Sequence, residues 1–194
     1  MTLLIPYAGL EAAPWKNGGG STTEIACAPQ GATLDNFDWR ISLATIAQDG
    51  PFSPYPGIDR TLALIDGAGA VLDMNGETRF FLGEDEPLIE FPGEAVITAT
   101  LNDGPTTDLN VMTRRSRCHH RLGRRALDGI SAFAPRGDVT VLFLADGESL
   151  SVSSDAERIG LVRYDAVVFD TTTVWTLEAT RATIVIIDIF LSPG

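Results

Sequence analysis

Lys16 is the single lysine among the 14 Lys and Arg residues of this chain. It stands in "APWKNGGGSTTEIA", beside Trp15, Asn17 and three glycines. A lone lysine on a glycine-rich turn is either an exposed charge or a mobile point charge that holds an anion, whereas arginine grips a carboxylate through two parallel hydrogen bonds. Further on, Arg40 shares one strand face with Ser42 and Ala44, which are too small to fill a core beside it. A long polar side chain among small ones is what a lined cavity needs. "GPFSPYPGIDR", residues 50–60, brings Phe52, Ser53 and Arg60 onto rigid proline turns, and Asn110 and Met112 share the polar face of another strand. These residues suit an anion site: Lys16, Arg40 and Arg60 as charges, Asn17, Ser42, Ser53 and Asn110 as orienting groups, Phe52 and Met112 as the apolar wall. Glu24, in the strand-like run behind the glycines, is the one acid kept as a proton-transfer candidate, against the plainer reading of a surface strand residue.

Other chemistries lack their residues. The glycines at 18–20 follow the lysine and precede no helix, so neither phosphate-loop nor dinucleotide pattern is present. His119 and His120, the only histidines, are adjacent and diverge on an extended segment, so no dedicated metal site is expected. No G-x-S-x-G elbow is present to anchor a nucleophile. No cofactor is expected.

The elements that must position these residues are strands. Phe37, Trp39, Ile41 and Leu43 alternate with Asp38, Arg40, Ser42 and Ala44, and Leu109 and Val111 alternate with Asp108, Asn110 and Met112. Late runs such as "DVTVLFLADG" and "RATIVIIDIFL" are β-branched and end at turn residues. Only "LGRRALDGISAF" has room for a turn or two of helix. An all-β sandwich, barrel or jelly roll follows. "TLALIDGAGAVL" is echoed by "TVLFLADGESLSV", which predicts two similar β halves: residues 1–113 carrying the pocket, an arginine-rich connection over 114–128, and 129–194 as scaffold.

The net charge of −12 argues against nucleic acid as a partner. "RRSRCHHRLGRR", residues 114–125, opposes that balance with six arginines. It reads as a linker or exposed loop whose arginines pair with carboxylates of the body or of a second subunit, and a homodimer is compatible with it. Its cations favour a thiolate at Cys118, although an ordinary free thiol is the simpler reading. No apolar run approaches a membrane span and the N-terminus lacks signal-peptide character, so a cytoplasmic protein without a membrane partner is expected.

The segments "PWKNGGGSTTEIA", "FDWRISLATIAQDGPFSPYPGIDRTLALIDGAG", "FPGEAVI" and "DLNVMTRR" resemble, in order, the motifs of the HutD/Ves family, densely from about residue 13 to 116. The resemblance implies a bicupin fold and a cytoplasmic bacterial protein. It also implies a role in histidine utilisation or a stress response, with urocanate or formylglutamate as ligand of a regulatory, non-enzymatic protein. "FPGEAV" is similar to the second cupin motif but lacks its histidine, which implies a cupin without metal. Two further readings stay open beside it: a metal-independent isomerase or hydrolase of a small carboxylate or sugar acid, with Lys16 or Glu24 moving the proton, and a docking protein that uses the arginine-rich segment.

Overall fold

A computed structural model describes residues 2–193. The chain runs β1 (Thr2–Ile5), a 3-10 turn (Tyr7–Gly9), β2 (Ala12–Pro14), β3 (Gly20–Ala28), β4 (Trp39–Ile46), β5 (Gly50–Pro51), β6 (Ile58–Asp66), β7 (Ala70–Met74) and β8 (Thr78–Leu82). It continues through β9 (Leu88–Pro92), β10 (Ile97–Leu101), β11 (Thr106–Arg114), β12 (Cys118–Phe133), β13 (Val139–Asp146), β14 (Leu150–Ser153), β15 (Arg158–Leu161), β16 (Ala166–Phe169) and β17 (Trp175–Leu191). Among the described residues no helix is long and apolar enough to cross a membrane. The fold is all-β, as the alternation requires.

Two compact units divide the described residues, Glu11–Cys118 and a second made of residues 2–10 with 119–193. This partition differs from the one expected. Residues 2–10 join the C-terminal unit because β1 pairs antiparallel with β16, Thr2 opposite Phe169, and Asp165 Oδ1 accepts a 2.8 Å hydrogen bond from the Tyr7 amide. The arginine-rich stretch is not a free connection either. From Cys118 it is the start of the 16-residue strand β12, which pairs with β17, and "LGRRALDGISAF" is strand rather than helix. Neighbouring residues of a strand point to opposite faces, so Arg121 and His119 lie on one side, both against the Phe190 ring.

The head of that stretch is a clamp within the N-terminal unit. Arg115 bonds Asp59 at 2.8 Å and Glu94 at 3.1 and 3.2 Å, while Arg114 donates to the Phe37 and Asp35 carbonyls at 2.9 and 3.0 Å. Cys118 is buried, donates to the Asp38 carbonyl at 3.1 Å, and has its thiol pushed up to about 11 by burial. Desolvation therefore outweighs the neighbouring Arg114 and favours the protonated thiol, the simpler of the two readings.

In the N-terminal unit a six-stranded sheet, β2-β3-β4-β11-β6-β9, accompanies a four-stranded one, β5-β10-β7-β8. Leu62, Leu64, Leu72, Leu82, Ile89, Phe91, Ile97 and Ala99 form the core of this unit. The C-terminal unit has its own core of Leu142, Leu144, Val167, Phe169, Trp175, Leu177 and Ile184. The sequence echo has a local counterpart: Asp66–Gly67 and Asp146–Gly147 each follow a long strand, with glycine φ of 93° and 118°. At both glycines an added Cβ would press on backbone of the neighbouring strand, so the turn demands the residue that lacks one.

Candidate functional site

The site is built on β4, β11 and β6, whose register sets side chains in rows across the sheet. Arg40 lies opposite Met112, and Met112 opposite Arg60, which in turn faces Phe91 on β9. One step along, Ser42, Asn110 and Leu62 form the next row, with Glu24 of β3 beyond Ser42. The third row holds Thr22, Ala44 and Asp108. All these positions fall on one face, because each strand advances by two residues per row. Where that face carries Leu62 and Leu64 it is core; where it carries Ala44 and the charged residues it borders a cavity of about 810 Å³.

Arg60 is the unusual element. It is 6% exposed, and its guanidinium lies over the rings of Phe52, Tyr55 and Phe91 at 5.5, 5.5 and 5.0 Å. The ring faces stabilise the planar cation, each by about 0.5–2 kcal/mol. They offer no hydrogen-bond acceptor in its plane. Nη1 reaches the Ser53 carbonyl at 3.5 Å, and Nε has no partner. Burial lowers the Arg60 pKa, with Asp108 and Tyr55 opposing that shift. A buried, unpaired donor on a cation costs several kcal/mol of desolvation.

Arg40 is differently placed. Its Nε donates to Glu24 Oε2 at 2.7 Å and its Nη1 to Ser42 Oγ at 3.4 Å. The Glu24 side chain, 41% exposed, borders the cavity and orients Arg40. Ser42 is fully buried beneath Arg40 and does not line the cavity; it supports the arginine instead of facing a ligand. Asn110 lines the wall with its Oδ1 unpartnered, and Met112, 1% exposed, packs with Phe37 and Ile58 as the floor between the two arginines.

Lys16 and Asn17 sit at the rim on the turn between β2 and β3. Asn17 Oδ1 accepts from the Gly19 amide at 3.0 Å, and the Gly18 amide donates to the Trp15 carbonyl at 2.9 Å. The glycines serve the turn. Gly18 has φ of 73°, while Gly20 packs under the Trp15 ring and against the Thr45 carbonyl. Trp15 Nε1 donates to Thr22 Oγ1 at 2.7 Å, which fixes the indole at the rim. Gly20→Ala places a methyl group into the Thr45 carbonyl oxygen, so it is expected to displace the hairpin and lower unfolding stability by about 2 kcal/mol or more in thermal melts.

Among the lining residues that escape sequence reasoning, Glu11, Tyr55 and above all Asp108 carry ionisable groups. Asp108 lies two residues before Asn110 on the same face, which is the signal that was available. It is 2% exposed, and burial pushes its carboxyl up to about 7, with Arg60 pulling the other way. Among the described residues no three His, Cys, Asp or Glu side chains converge as a metal ion requires.

The HutD family matches residues 7–187 of the chain. Protein Ves of Citrobacter koseri is 41% identical over 126 residues, covering 64% of each chain, so the match spans just under two thirds of that curated relative. A Pseudomonas putida protein described as an uncharacterized 21.2 kDa protein in the hutC 3' region is 34% identical over 151 residues, 76% of this chain and 77% of its own. The structure of HutD from Pseudomonas fluorescens SBW25, described as a formate condition, superposes with a TM-score of 0.82 at 28% identity over all of both chains. A salicylate 1,2-dioxygenase from Pseudoaminobacter salicylatoxidans shares the bicupin fold alone: TM-score 0.67 at 9% identity, over 100% of this chain and 86% of that one.

Proposed function

This chain belongs to the HutD family, and from that premise we propose that its N-terminal cavity binds a small carboxylate-bearing metabolite in a regulatory, non-enzymatic role linked to histidine utilisation. Urocanate and N-formylglutamate are the ligands to test. The observation that carries this reading is Arg60: a cavity-lining residue whose guanidinium is buried, stacked among three rings and only partly hydrogen-bonded within the protein. The naming of the Pseudomonas putida relative by its hutC neighbourhood supports the metabolic setting.

In this reading one carboxylate oxygen accepts a hydrogen bond from the Arg60 guanidinium and Arg40 supplies a second charge from across Met112. Asn110 Oδ1 accepts a hydrogen bond from a ligand N–H or O–H. Phe52 provides apolar contact, and Lys16 adds an exposed, salt-sensitive attraction at the rim. Two charge-assisted contacts at about 1.5–3 kcal/mol each, with apolar burial, place affinity near the micromolar range.

Calorimetric titration with each ligand tests the reading. Arg40→Ala is expected to weaken binding by roughly tenfold or more, since it removes a cation and leaves Glu24 uncompensated beside the anion. Glu24→Gln is expected to keep or tighten binding, because it frees Arg40 from its partner. Product released from a bound ligand, lost in Glu24→Gln or Lys16→Ala, would instead favour the metal-independent isomerase or hydrolase.

A further inference from the structure

The charge count of the cavity raises a question that ligand binding alone does not answer. Three cations line it, Lys16, Arg40 and Arg60, and three carboxyls, Glu11, Glu24 and Asp108. With every group ionised the wall is neutral, a poor host for an anion. The three acids differ in their means of staying charged. Glu11 is exposed to water at the rim, and Glu24 is held by Arg40 at 2.7 Å. Asp108 has neither: it is 2% exposed, flanked by Ala44 on β4 and Leu64 on β6, and its charged neighbour is Arg60.

We propose that this site takes up a proton together with its anion, Asp108 becoming the neutral acid as the ligand carboxylate takes over Arg60. The inference rests on the reading of the cavity given above. One buried guanidinium cannot balance two carboxylates in a medium of low dielectric, so the ligand and an ionised Asp108 compete for it. Protonating Asp108 ends the competition and leaves the wall with one net positive charge. The other groups that face it do not substitute. Arg40 is engaged by Glu24, Lys16 is exposed at the rim, and Tyr55 stacks on Arg60. The carboxyl already sits near 7 without a ligand, so a neighbouring negative charge raises it further and draws the proton from solvent at neutral pH. Asp108 is thus a residue that sets the pH range of binding: affinity is greatest in weakly acidic conditions and fades as pH rises.

The test is calorimetry of the full chain with N-formylglutamate and urocanate at pH 7.5, in two buffers of different ionisation enthalpy, which counts protons taken up per ligand. Roughly half a proton or more is expected for the native chain and none for Asp108→Asn. As a measure independent of any variant, the native Kd is expected to weaken by roughly tenfold between pH 7 and pH 8.5. Saturable binding with no proton uptake and a flat pH profile overturns this inference and leaves the anion-binding reading intact. Equal uptake in the native chain and Asp108→Asn also overturns it. No saturable binding of either ligand overturns the anion-binding reading and this inference with it.

Discussion

Arg60→Met is expected to weaken binding of a carboxylate ligand by about a hundredfold or more while leaving the fold as stable as before or more so. The two halves of that result have one cause. Arg60 is held out of water by Phe52, Tyr55 and Phe91, yet its Nε has no partner in the protein. A buried charge without full hydrogen bonding opposes folding, and loss of Arg60 removes the one charge that lowers the Asp108 pKa, so Asp108 is left as the neutral acid and no buried charge is stranded. Methionine fits between aromatic rings and keeps their packing. For a ligand, the same desolvated cation is a strong contact, worth about 2–5 kcal/mol when one partner of a buried pair is removed. Calorimetry and thermal unfolding of the one variant read both effects. A large loss of stability with binding retained would show that Arg60 is an element of the core and not of a binding site.

A second large effect concerns pH. The Asp108 carboxyl is raised from 3.8 to about 7, mainly by burial. Between those values the folded chain keeps a proton that the unfolded chain has released. Stability from this group therefore falls as pH rises through the window, and the full penalty is present above pH 7. At about 1.4 kcal/mol per pKa unit, the penalty is on the order of 4 kcal/mol. Asp108→Asn removes it. The variant is expected to match the native chain near pH 4 and to exceed it by roughly that amount at pH 8, measured by denaturant unfolding across the range. Parallel stability curves would mean that Asp108 is ionised at no cost in the folded chain.

How legible this site was in the sequence depended on the range of the interaction. Alternation along single strands is local, and it placed Arg40 with Ser42 and Ala44, and Asn110 with Met112, on the correct faces. Which residues then become neighbours depends on register between strands far apart in the chain. The row Arg40–Met112–Arg60 joins β4, β11 and β6 and follows from pairings that no local pattern records. Ser42 looked like a ligand group because it is small and polar; only the three-dimensional arrangement puts Arg40 on top of it. Asp108 shares the face of Asn110, but nothing local marks it as buried, since an aspartate is rarely fully buried unless paired. Of the glycines after Lys16, Gly20 permits a close approach to Trp15 and Thr45 that depends on pairing between β3 and β4.

The partition of the chain was harder to read for a related reason. Charge density marked residues 114–128 as a connection, but β-pairing with β17 turns most of that stretch into strand, and arginines on a strand's exposed face are compatible with it. Residues 2–10 carry no composition that links them to the C-terminal unit. Their attachment through β16 is a long-range pairing, invisible until the sheet is assembled.

The most direct test of the carboxylate site is a crystal structure of the chain grown with saturating N-formylglutamate or urocanate. The expected result is a carboxylate within hydrogen-bond distance of the Arg60 guanidinium, with Arg40 on the far side of Met112 and a ligand donor against Asn110. An empty cavity at saturation, or a ligand seated elsewhere with Arg60 still unpaired, would contradict it.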